Sequence, residues 1–166
     1  METAVIEKIS NVARVKADYA KSSFLKCFVY SMFAGAYIGI GITLIFTLGA
    51  QISGSEYTVG LTKLVMGASF GLALSMCIMC GSDLFTGNNL LMGVGAMTRR
   101  VSWLEAFHVW GINLIGNLAG SLLVAWIITM SGLLNNEQFG TFVVTMSANK
   151  ISPGFIPLFF RGALCN

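Results

Sequence analysis

Charge is what this sequence has least of. Only 10% of its 166 residues are Asp, Glu, Lys or Arg, against 55% hydrophobic, and the mean hydropathy is +0.78. A soluble domain carries roughly a quarter charged residues because its surface must meet water, so this composition excludes one. The few charges are also segregated. None occurs from Cys27 to Ser55, from Leu64 to Ser82, from Leu84 to Thr98, or from Ala106 to Asn136. A helix needs about 20 apolar residues to cross the hydrocarbon core. The first and last windows reach that length, the second is marginal, and the third is too short to cross alone. Nineteen Gly and nine Met suit close helix packing in lipid, where small residues let backbones approach.

Histidine is nearly absent, His108 being the single one, and the four cysteines (Cys27, Cys77, Cys80, Cys165) all lie in or beside apolar stretches. Cys77 and Cys80 have a redox spacing, but that chemistry wants a strand-to-helix setting in water. Within a lipid-embedded helix, cysteines three apart act as small packing residues. No metal, cofactor or catalytic centre is expected, and the chain reads as a non-enzyme. The net charge of +3 is explained by placement rather than by nucleic acid. Lys8, Arg14, Lys16, Lys21 and Lys26 precede the first span, Arg99 and Arg100 follow the second apolar region, and Lys63 and Lys150 sit singly in the connections. The positive-inside bias puts residues 1–26 and 98–104 in the cytoplasm. A signal peptide is not expected, because its apolar core runs only about 7–15 residues. Residues 1–23, with Val5, Ile9 and Val12 at helical spacing around Lys8 and Arg14, read as an interfacial helix. Residues 24–166 read as a transmembrane domain.

The first span runs from about Phe24 to Leu48, and Gly35 and Gly39 give it a small face for a partner helix. A polar connection from Gln51 to Tyr57 leads to a second apolar segment, about Val59 to Gly81. Ser82-Asp83-Leu84-Phe85-Thr86-Gly87-Asn88-Asn89 then interrupts it. An acidic residue at membrane depth costs a few kcal/mol, and backbone groups freed by a break need partners. Apolar character resumes from Leu90 to Met97, enough for about 12 Å of helix. The pattern predicts a helix, an irregular turn at membrane depth and a half-helix, the kind of broken element whose ends bind ions and substrates. An ordinary aqueous loop is the competing reading, and Leu84-Phe85 in its middle argue against it. The third span runs from about Glu105 to Leu134. His108, Asn113, Asn117 and Ser121 fall close to one face, with Gly116 and Gly120 beside them. Asn113 and Asn117 are expected to bond to other helices, and His108 to lie at the interface. Residues to Asn149 read as an external loop. Pro153 and Pro157 suit the start of a helix, and Leu158–Asn166 begins a fourth span and stops, so the chain is expected to be the front part of a longer protein.

In order, Gly81-Ser82-Asp83-Leu84-Phe85-Thr86-Gly87-Asn88, Gly116-Asn117-Leu118, Ala148-Asn149-Lys150 and Arg161-Gly162-Ala163-Leu164-Cys165-Asn166 resemble the formate/nitrite transporter family over essentially the whole chain. The resemblance implies an all-α membrane protein: the N-terminal part of an aquaporin-like, six-helix inverted-repeat channel with a broken second transmembrane helix. It implies a homopentamer in the bacterial plasma membrane carrying small anions (formate, nitrite or hydrosulfide), with proton linkage and no cofactor. On this resemblance Phe70 and Leu74 are pore-constricting positions, Leu84, Phe85, Thr86 and Asn88 belong to the pore loop, and Lys150 draws anions into the outer mouth. Asn113, Asn117 and Asn166 are polar residues of structural role. His108 does not match the family's central pore histidine, which falls in the half this chain lacks. Phe85-Thr86-Gly87-Asn88 looks closer to nitrite-type members, since a serine commonly follows the threonine in formate-type ones. An aquaporin-like channel for small neutral solutes is the alternative; Asn-Pro-Ala repeats are missing, and Lys150 favours anions.

Overall fold

The computed structural model describes residues 2–53 and 59–165. These form α1 (Glu2–Ser22), α2 (Phe24–Ile52), α3 (Val59–Met79), α4 (Phe85–Met97), α5 (Trp103–Met130), a 3-10 turn (Leu133–Asn135), α6 (Glu137–Ile151) and α7 (Phe155–Cys165), with no strand among the described residues. Among the described residues, three helices are long and apolar enough to cross a membrane: Phe24–Ile52, Gly60–Met79 and Trp103–Met130.

Glycine sets the central pair. A Cβ on Gly35 would overlap the Asn117 carbonyl, one on Gly120 the Met32 carbonyl, and one on Gly116 the Ser31 side chain, while Gly39 faces Val124. Helices α2 and α5 therefore run parallel in backbone contact, and α5 is the partner for the small face read from the sequence. Such contact gains dispersion energy where lipid offers no hydrophobic drive between helices. Helix α3 returns antiparallel along α2. Gly41 abuts Ala73, Gly49 faces Met66, and the Cys77 Sγ donates to the Ala34 carbonyl at 3.8 Å. In this register α3 ends near the level of Ala34, ten residues past the start of α2 at Phe24, which is about 15 Å of helix rise.

Helix ends explain where the chain turns. After α3, Gly81 is left-handed (φ 66°), with Ser82 N–H donating to Cys77 O (3.1 Å) and Gly81 N–H to Ile78 O (3.3 Å). This is the glycine-terminated cap that satisfies the last carbonyls. Gly132 (φ 75°) ends α5 similarly, so that helix stops at Met130 rather than near Leu134. Helix α4 ends in the same hydrogen-bond pattern, Arg100 N–H to Gly95 O (2.9 Å) and Arg99 N–H to Ala96 O (3.1 Å), but its left-handed residue is Arg99 (φ 59°). A side chain there costs about 1–2 kcal/mol. Ser102 then caps α5, accepting from Glu105 N–H while the Glu105 carboxylate accepts from Ser102 N–H, a reciprocal pair that starts the helix.

One segment departs from the sequence-based expectation, and another shows a packed face that the expectation did not include. In α1 the buried stripe is Ser10, Ala13, Ala17 and Ala20, packed on Met92, Ala96, Val101, Ala106 and Val109, while Val5 and Val12 face outward. Small side chains win because Ala13 lies directly against Gly95. Arg14 (2.9 Å) and Lys21 (2.6 Å) both reach Glu105, and Arg14 also pairs with Asp18. The segment read as an external loop is instead largely α6. Asn136 caps it through Phe139 N–H (3.0 Å), Gln138 donates to the Ala50 carbonyl (2.8 Å), Phe139 is buried, and Phe142 meets Phe46 edge-on at 5.9 Å.

Gly120→Ala should force α2 and α5 apart and cost about 1–3 kcal/mol, read as a lowered melting temperature in detergent. Gly111→Ala, whose added methyl meets nothing within 4 Å, should leave it unchanged or slightly raised.

Candidate functional site

A helix that stops and restarts leaves peptide groups without partners, and those of Ser82, Asp83 and Leu84 between α3 and α4 are half-buried. One carboxamide serves them. The Asn117 Nδ2 donates to the carbonyls of Asp83 (2.9 Å) and Ser31 (2.8 Å), and its Oδ1 accepts from Phe85 N–H (2.9 Å). Asparagine suits the position because its side chain carries both donor and acceptor groups in one plane. Asn117 stands midway along the 28-residue α5, so the interruption is held against the centre of that helix. From there α4 runs back along α5. Trp110 Nε1 donates to the Asn88 carbonyl (3.1 Å), and the 13 residues of α4 rise about 20 Å, matching the stretch of α5 from Asn117 to Trp103.

Asp83 is compensated. Its side chain is only 12% exposed and pairs with Lys16 of α1, and Asn88 Nδ2 lies 3.4 Å from the same carboxylate oxygen. Asp83 N–H also reaches the Tyr30 carbonyl at 3.4 Å. An acidic group that would be costly alone in a low-dielectric interior is thereby made tolerable.

The irregular stretch is shorter than the residues 82–89 expected from sequence. Asn117 fixes Phe85 N–H, Asn88 N–H donates to Leu84 O (3.1 Å), and the helix already begins at Phe85. Leu84 and Phe85 are half-buried, Thr86 is exposed and Asn88 is buried. Phe70 and Leu74 lie one turn apart on α3, the first half-buried and the second 39% exposed. Lys150 is exposed in the last turn of α6 and has no ion pair among the described residues. Asn113 is fully buried, with its carboxamide 2.7 Å from Ser31 Oγ. Its Nδ2 has no partner among the described residues. Turning that amide over would let it donate to Ser31 Oγ and leave the hydroxyl proton for Cys27 O. Asn166 lies outside the described residues. His108 is exposed near the start of α5. A cavity of about 300 Å³ between α2, α5 and α6, lined by Ile42, Phe46, Val124 and Phe139 among others, contains none of these residues.

Two contributors escaped sequence reasoning. Lys16 lies 67 residues from Asp83, and nothing local links them. Trp110, by contrast, precedes Asn113 and Asn117 at helical spacing, so the shared face was a usable signal.

Comparison with known proteins adds independent findings. A family model described as formate/nitrite transporter matches residues 3–166. The nitrite transporter NirC of Escherichia coli K12 is 36% identical over 167 residues, covering 100% of this chain and 60% of the relative. The formate channel FocA of the same strain is 33% identical over 144 residues, covering 86% of this chain and 50% of the relative. An uncharacterized transporter, YwcJ of Bacillus subtilis 168, is 32% identical, covering 100% of this chain and 64% of the relative. A solved structure, an FNT family ion channel, superposes with a TM-score of 0.85 at 34% identity, covering 98% of this chain and 64% of that one. The chain thus spans less than two thirds of the length of each.

Asn117→Ala strands the Asp83 carbonyl and the Phe85 N–H in a half-buried site, removes an added bond to Ser31 O, and should cost about 2–4 kcal/mol. Asn113→Ala, which leaves Ser31 its bond to Cys27 O, should cost about 1 kcal/mol. Thermal unfolding in detergent of the two variants side by side checks the order.

Proposed function

This chain belongs to the formate/nitrite transporter family, and on that premise we propose that it builds a transmembrane conduit for small monovalent anions: formate, nitrite or hydrosulfide. The observation that carries the reading is the binding of Asp83 O and Phe85 N–H to Asn117 at the middle of α5. Helices α3 and α4 are then two parts of one crossing, broken at membrane depth, because α3 ends short of the far end of α2 and α4 supplies the remaining rise. Broken helices of this kind bring backbone ends to a solute path.

Within this reading Phe70, Leu74, Leu84 and Phe85 form apolar constrictions. A bare anion crosses such a passage at high cost, which favours passage as the neutral acid and hence proton linkage. The exposed Thr86 hydroxyl offers a hydrogen bond between the barriers, and Lys150 concentrates anions at the outer mouth. Asn88 acts from beneath, holding Asp83. The rest of the assembly is an aquaporin-like inverted-repeat protomer in a homopentamer of the bacterial plasma membrane, with α1 and the α4–α5 turn in the cytoplasm. Nitrite is the first substrate to test. Phe85-Thr86-Gly87-Asn88 lacks the serine of formate-type loops, and the similarity to NirC covers the whole chain whereas that to FocA covers 86% of it.

Reconstituted in liposomes, the protein should carry nitrite and formate with dissipation of a pH gradient. Thr86→Ala should slow nitrite flux about tenfold, the equivalent of one lost hydrogen bond, and Phe85→Ala should admit chloride. Unchanged flux and selectivity in both variants would remove these residues from the path. Glycerol-driven swelling without anion flux would favour a conduit for neutral solutes.

A further inference from the structure

The turn between α4 and α5 holds charge that the solute path does not use. Arg99 and Arg100 are both exposed, and neither guanidinium has an ion pair or hydrogen bond among the described residues. Of the basic residues on α1, Arg14, Lys16 and Lys21 are committed to carboxylates, whereas Lys8, exposed like the two arginines, has no ion pair among the described residues. Helix α1 reaches this turn directly, with Ser10 Oγ 2.9 Å from Thr98 Oγ1. Arg99 and Arg100 line a surface hollow that Glu105 also borders, but the Glu105 carboxylate already receives Arg14, Lys21 and Ser102 N–H. It is therefore not free to neutralise the arginine pair.

Backbone conformation supplies a second observation. Arg99 occupies the left-handed position that ends α4, where α3 and α5 place Gly81 and Gly132. Glycine would adopt that conformation without strain, so the arginine is kept there against the local preference. Strain retained at one position points to a use for its side chain. The rim supplies a third. Met97, Trp103 and Leu104 are exposed beside the hollow, and Trp103 is the first residue of a helix long enough to cross a membrane. An indole at a span end sits at headgroup level.

We propose that Arg99 and Arg100 form a binding site for the headgroup phosphate of an anionic phospholipid, whose acyl chains lie over Met97, Trp103 and Leu104. Guanidinium forks match phosphate oxygens in paired hydrogen bonds, and basic hollows between membrane helices take anionic headgroups. A zwitterionic headgroup would bring its own cation against the same two charges. The exposed apolar rim favours a lipid over free phosphate. The inference rests on α5 crossing a membrane and is independent of which solute is carried.

Native mass spectrometry of the delipidated protein tests it, with phosphatidylglycerol, phosphatidylcholine and inorganic phosphate added in separate arms. Phosphatidylglycerol should be retained over phosphatidylcholine by about tenfold, and Arg99→Gln with Arg100→Gln should reduce that preference to about twofold or less. Lys63→Gln should not alter it. Arg99→Gly should raise the melting temperature, by relieving the strained residue, while lowering the lipid preference about threefold. A preference that survives the paired glutamines, or that Arg99→Gly leaves untouched while stabilising the fold, would overturn the proposal. So would equal binding of the two lipids, or displacement of phosphatidylglycerol by millimolar inorganic phosphate. Nitrite flux measured in the same variants separates this outcome from failure of the transport reading.

Discussion

One side chain allows this bundle to contain a break. A peptide group inside lipid or a packed core must find a partner within the protein, and two such groups, Asp83 O and Phe85 N–H, meet at the Asn117 carboxamide, which also donates to Ser31 O of α2. The remaining features serve that junction. Gly35 lets α2 approach the Asn117 backbone closely enough for Ser31 O to be reached, and Gly116 and Gly120 keep the approach open on either side. Gly81 ends α3 at the point where the chain must leave helical geometry. Close packing and polar satisfaction are here one constraint, since a methyl at these glycines would push Asn117 away from its partners.

Helix α1 completes the junction from outside. Its alanine stripe sits on α4 and α5, and Lys16 neutralises Asp83 at the break while Arg14 and Lys21 bind Glu105 at the start of α5. The N-terminal helix is thus part of the electrostatics of the interruption. Removing Lys16 would leave a largely enclosed carboxylate with, among the described residues, only the long contact from Asn88, and an enclosed charge without a partner is strongly unfavourable.

Much of this was legible in the sequence because lipid narrows the options. Charge-free windows located the spans, the Gly35/Gly39 pair announced a close neighbour, and Asn117 in an apolar helix announced a hydrogen-bonding role. What stayed hidden was long-range or weakly patterned. No local signal ties Lys16 to Asp83. In α1 the buried contact is made by alanines, whose value is their smallness and whose pattern is weaker than that of the exposed valines. Helix α6 has mixed composition, and its identity depends on Phe139 and Phe142 finding α2. The length of the interruption was overestimated because Thr86, Gly87 and Asn88 are poor helix formers, yet capping of Phe85 N–H by Asn117 starts α4 before them. Ser102 and Glu105, by contrast, spell a helix start that sequence alone could have supplied.

The central claim is that Asn117 holds the interruption closed at the middle of α5. Hydrogen–deuterium exchange at the Phe85 amide, with the protein in lipid nanodiscs, tests it most directly. The account predicts slow exchange in the parent and an acceleration of about a hundredfold or more in Asn117→Ala, as a held hydrogen bond becomes a locally open one. A Phe85 amide that already exchanges at the rate of a free peptide, or one whose protection survives the loss of Asn117, would contradict it.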